Sequence, residues 1–102
     1  DIDPISKRNF EGFYVLLYIA LKDWENALHW CNTSHERSPH SRYYGWKAAI
    51  MAHMGKIQEA KEMLSFFMKE RPEIKKIDDY EKVAPTMIKD ILIEGLKKAG
   101  LK

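Results

Sequence analysis

Two short stretches of this chain, Lys22-Asp-Trp-Glu-Asn-Ala27 and Gly55-Lys-Ile-Gln-Glu-Ala60, stand 33 residues apart and match in chemical character. Each follows an apolar-periodic run and opens another. The register extends beyond them: Val15 pairs with Ala48, Tyr18 with Met51, Cys31 with Leu64 and Pro39 with Pro72, always at 33 residues. Self-similarity at a period of about 30–40 residues marks stacked helical hairpins. In such an array each hairpin buries its apolar face only against its neighbour. This one feature excludes most other architectures for 102 residues.

The rest of the sequence reads as helical, with no period-2 strand. A first helix is expected from about Ser6 to Leu21, capped by Ser6. Its inner stripe would be Phe10, Tyr14, Leu17, Tyr18 and Leu21, spaced i, i+4, i+7, i+8 and i+11. Asp23 supplies an N-cap acceptor for a second helix from Trp24 to about Ser34, with Ala27, Leu28 and Cys31 inward. The polar run Asn32–Ser41, with Pro39, makes a turn. Ser41 would cap a third helix from Arg42 to about Met54. Gly55 ends it, because glycine tolerates the left-handed conformation found at helix C-termini. A fourth helix, from Ile57 to about Glu70, turns Ala60, Met63, Leu64, Phe67 and Met68 inward and is closed by Pro72. A short helix then stops before Pro85, and Pro85 opens a last helix that Gly100 ends. Its expected buried stripe is Met87, Ile88, Ile91, Leu92, Leu96 and Ala99, which leaves Ile93 exposed.

The second unit resembles a tetratricopeptide repeat. It has the small residue within the first helix (Ala48), the inter-helix glycine (Gly55), the alanine at the close crossing (Ala60), a large apolar residue one turn on (Leu64) and the closing Pro72. A bulkier residue at Ala27 or Ala60 would force the paired helices apart. The first unit departs from the pattern at Val15 and Lys22. The tail Ile-Leu-Ile-Glu-Gly-Leu-Lys-Lys-Ala-Gly-Leu, residues 91–101, is similar to the C-terminal end of bacterial tetratricopeptide segments that follow nucleotide-cyclase or winged-helix regulatory domains. The resemblance implies an all-α fold of antiparallel helical hairpins stacked as a short right-handed superhelix with a C-terminal capping helix. Residues 1–72 would hold two hairpins, about 6–39 and 41–72. Residues 73–102 would add a short helix and the capping helix to the same domain.

Composition fits a single globular domain, with 45% apolar and 31% charged residues. The longest apolar run, Phe13 to Leu21, falls short of the roughly 18 residues needed to cross a bilayer. The chain opens Asp-Ile-Asp-Pro-Ile-Ser, with neither an initiator Met nor the order of a signal peptide, and so reads as part of a longer protein. A lone cysteine, Cys31, excludes an internal disulfide and suits a reducing, cytoplasmic setting. A net charge of +2 argues against nucleic acid.

Catalytic and metal chemistry find little support. No glycine-rich phosphate loop follows a strand. His29 and Cys31 lie two residues apart on a helix and point away from one another. His35 and His40 flank a turn without the further ligands a metal needs. Asp78 and Asp79 suit a helix start better than an acid pair. No cofactor is implied, and the chain reads as a non-enzymatic interaction module.

In the family it resembles, the first helix of each hairpin lines a concave groove. By register that side holds Asn9, Gly12, Leu16, Ile19 and Ala20, then Arg42, Gly45, Ala49, Ala52 and His53. The candidate partner-binding groove is Asn9, Leu16, Arg42, Gly45, Ala49 and His53. Small residues leave room there for a peptide or helix, and Arg42 and His53 give a basic rim. Gly12 and Gly45 stand where carboxylate-clamping members carry Lys, which puts chaperone-tail binding in doubt. The resemblance implies a protein or peptide partner. Self-association through the last helix is a variant of the same expectation. The alternative is a helical-repeat nucleic-acid binder, resting on Tyr43, Tyr44 and Trp46 and on the basic stretch 41–72.

Overall fold

The two 33-residue stretches form turns of one conformation, and the fold is built outward from them. The computed structural model describes residues 4–102, with side chains from Gly12 onward. Six α-helices follow in order: α1 Pro4–Ala20, α2 Trp24–Arg37, α3 Arg42–His53, α4 Ile57–Glu70, α5 Ile77–Glu81 and α6 Lys89–Ala99. A 3-10 turn, Thr86–Ile88, leads into α6. No strand occurs among the described residues, so the all-α class holds.

After α1 the Asp23 amide donates to the Tyr18 carbonyl at 2.9 Å and the Lys22 amide to Ile19 at 3.0 Å. After α3 the Lys56 amide donates to Met51 at 2.9 Å and the Gly55 amide to Ala52 at 3.1 Å. Both are Schellman closures, in which a left-handed residue lets two amides reach back to the last free carbonyls. That residue is Gly55 (φ 83°) in one turn and Lys22 (φ 59°) in the other. Gly100 closes α6 in the same manner. The second helices also match at their ends, where the Ser38 and Arg71 amides donate to Ser34 and Phe67.

α1 packs on α2, α3 on α4, and α2 on α3. Val15 and Ala48, Ala27 and Ala60, and Cys31 and Leu64 are buried in pairs at the repeat spacing. α6 lies chiefly against α3, with further contact to α4 and α5. The molecule is elongated, 44 × 26 × 23 Å.

Several local expectations need correction. α1 begins at Pro4, so Ser6 is not its cap; Pro suits the first turn because the amide it lacks would have had no partner there. The buried residues of its described part are Val15 and Ile19, while Tyr14 is exposed and Leu21 is 72% exposed. Phe10 lies outside the described side chains. Asp23 caps α2, accepting from the Asn26 amide at 3.4 Å and from the Asn26 side chain at 2.7 Å. Ser41 makes no capping bond; His40 Nδ1 accepts the Arg42 amide instead, at 3.1 Å. The last α-helix starts at Lys89, because residues after Pro85 first wind as a 3-10 turn. That change of pitch leaves Met87 54% exposed while Ile88 is buried. Ile93 is only 8% exposed, since α6 is clasped by more than one neighbour.

Candidate functional site

The face of α3 that carries its small residues divides into a covered half and an open half. At the covered half, Gly95 of α6 meets Ala49 so closely that a Cβ on Gly95 would stand 2.7 Å from the Ala49 Cα and carbonyl oxygen. Ala49 and Ala52 are buried beneath this crossing. His53 fastens its edge. Its Nε2 lies 2.9 Å from the Ile91 carbonyl, which only accepts, so Nε2 carries the proton. Its Nδ1 faces Lys98 Nζ at 3.5 Å, and the ring stacks on Trp24 with centroids 4.4 Å apart. His53 therefore joins α2, α3 and α6.

At the open half a cleft of about 500 Å³ lies between α1, the start of α3, the end of α4 and the segment after α5. Its apolar wall includes Phe13, Leu16, Trp46, Phe67 and Val83, and its polar groups are His40, Arg42, Arg71 and Tyr80. The Arg42 guanidinium lies over the Tyr43 and Trp46 rings, 5.1 and 5.6 Å from their centroids, and donates to the Tyr43 hydroxyl at 3.3 Å. Arg71 Nε is paired with Glu73 at 2.7 Å. Burial, reinforced by the charges of Arg42 and Arg71, holds the His40 pKa below its ordinary value. Trp46 is bonded to the Tyr80 hydroxyl, whose pKa burial pushes up.

The six groove candidates thus separate. Leu16 and Arg42 line the cleft. Gly45 is buried against the Phe67 ring, where an added Cβ would come within 3.2 Å. Ala49 and His53 engage α6, and Asn9 lies outside the described side chains. Sequence reading passed over Arg71 and gave His40 another role, yet the fold brings both to Arg42. The signal was present: Arg42 opens α3 and Arg71 follows α4, and an antiparallel hairpin returns its end to its beginning.

The other reactive groups are structural. Cys31 is fully buried, its thiol bonds the Tyr43 carbonyl at 3.7 Å, and desolvation pushes its pKa up to about 12. A thiol so raised is a poor nucleophile. His35 Nδ1 faces Lys47 Nζ at 3.1 Å, and burial followed by the Lys47 charge lowers its pKa. The described residues hold no cluster of three metal-ligating side chains. Asp79 accepts the Lys75 and Lys76 amides at 3.0 and 3.2 Å, which lowers its pKa and assigns it to the turn before α5. Tyr43 and Trp46 are buried, so their faces are not free to stack on bases. No described helix is long and apolar enough to cross a membrane. Comparison of the chain with protein-family models, with curated proteins and with solved structures finds no match.

Proposed function

We propose that the chain is a protein-interaction module built from two tetratricopeptide-like hairpins, in a right-handed stack that α6 closes, and that its docking surface is the cleft beside Arg42. The observation that carries the reading is the division of the α3 face. One half is occupied by the chain's own α6 across Gly95 and Ala49, and the other half stays concave and accessible. A preformed pocket of this size, apolar with a few convergent polar groups, is the usual form of a recognition site. No assembly of nucleophile and base competes for it, and the buried Tyr43 and Trp46 rings weigh against the nucleic-acid alternative. In this reading the module sits in the cytoplasm within a larger regulatory protein and needs no cofactor.

A photo-crosslinking side chain tests it, placed at Val83 on the cleft rim or at exposed Lys61 on the far face of α4. Crosslinks to one partner from position 83, absent from position 61 and lost on adding Arg42→Glu, are expected. Equal labelling from both positions would remove the cleft from the account.

A further inference from the structure

We propose that the occupant of the cleft is a peptide segment of a partner protein in which a carboxylate stands beside a bulky apolar side chain. The inference rests on the docking reading above and supplies its chemistry. No acidic side chain lines the cleft, whereas two guanidiniums and an imidazole do. Glu73 offsets Arg71, which leaves Arg42 as the dominant cation. Arg42 has no carboxylate partner among the described residues; its one side-chain hydrogen bond goes to the neutral Tyr43 hydroxyl.

The two rings beneath it hold the guanidinium plane, so little freedom remains to be lost when a carboxylate arrives. His40 adds a donor: with Nδ1 accepting the Arg42 amide, the neutral ring carries its proton on Nε2. Every charged group of the lining therefore favours an anion, and a basic segment is repelled. Beside these donors Leu16, Phe67 and Val83 offer apolar surface, with the side chain of Val83 51% exposed and Phe13 49%. One anchored charge next to an apolar floor fits a carboxylate with an apolar neighbour better than a polyphosphate backbone, which would need several cations in a row.

The test uses two pools of labelled hexapeptides. In one, Asp or Glu flanks Leu, Phe or Trp; in the other, Asn or Gln replaces the acid. Binding is read by fluorescence anisotropy and by the Trp46 indole signal in the spectrum of the full chain. The acidic pool is expected to bind about tenfold tighter or more, the worth of one charge-assisted hydrogen bond. Arg42→Gln should erase that preference. Val83→Glu, at an exposed position that tolerates substitution, should weaken the acidic pool and spare the amide pool. Equal binding of the two pools would overturn the carboxylate inference while leaving the docking reading in place. Failure of both pools to shift Trp46 would overturn peptide occupancy and docking at this cleft together. Inorganic phosphate shifting Trp46 where no peptide does would assign the cleft to a free anion instead.

Discussion

The two hairpins share a backbone and differ in what covers them. Their turns close with the same pair of long-range amide bonds, 33 residues apart, although one turn has glycine at its left-handed position and the other has Lys22. The second hairpin is held between α2 on one side and α6 on the other, and seven residues of α3 are buried. The first hairpin has no counterpart of α6. The repeat thus specifies the local path of the chain, while the neighbours decide which faces remain open. The α3 face loses its groove where α6 crosses at Gly95 and keeps it where α1, Arg42 and the segment after α5 stand apart.

Breaking the α6 crossing should give the largest effect. In Gly95→Ala the new methyl group would meet backbone atoms of Ala49 at 2.7 Å, and backbone cannot move aside as a ring can. The variant is expected to lose about 2 kcal/mol in urea denaturation, more than offsetting the gain in helix propensity. Gly45→Ala is its control. There the contact is the Phe67 ring at 3.2 Å, which can shift, and the change should fall within about 1 kcal/mol of neutral.

The two turns sharpen the comparison at a smaller scale, with opposite signs. Lys22→Gly should raise stability by about 0.5–1 kcal/mol, because it relieves a side chain from the left-handed region. Gly55→Ala should lower it by about 1 kcal/mol, although its surroundings are open. Thermal melts of the two variants check this. Changes of the same sign would show that the turns are not equivalent.

The smallest effect concerns pH and belongs to the junction between the hairpins. Burial first, then neighbouring cations, lowers the pKa of His35 and of His40 from 6.5. The unfolded chain therefore takes up these protons more readily than the folded one. The resulting stability is fully present above about pH 6.5 and is lost as pH falls through the lowered folded values. Denaturation midpoints at pH 7.5 and pH 5.5 should differ in that direction. A variant carrying both His35→Gln and His40→Gln should flatten the difference, and an unchanged slope would contradict the assignment.

How much of this was legible in the sequence depended on how local the cause was. The turns, Asp23 as a cap, and the buried pairs Ala27/Ala60 and Cys31/Leu64 follow from short-range chemistry and a repeat spacing, and they read directly. The inner face of α1 did not, because apolar and aromatic residues surround that helix and periodicity alone cannot choose between the Tyr14–Leu21 stripe and Val15–Ile19. Met87 and Ile93 were misplaced for two different reasons. A 3-10 turn shifted the register before α6, and contacts from several helices widened its buried arc beyond one stripe. The cleft was half legible: Leu16 and Arg42 came from the repeat register, whereas Arg71 and His40 join them only through the antiparallel return of α4. Gly45 and Ala49 look, in sequence, like room for a partner. Only the placement of Phe67 and Gly95 shows that the chain fills that room itself.

The central claim is that α6 occupies one half of the α3 face and leaves the other half as the docking site. It is tested most directly by the distance between the Gly95 α-protons and the Ala49 methyl group, read as a nuclear Overhauser effect in the intact chain. The account predicts a strong cross-peak, since the two backbones meet at that point. Its absence, together with rapid hydrogen exchange at the buried amides of α6, would show the whole groove open and would contradict the division on which the proposed docking site rests.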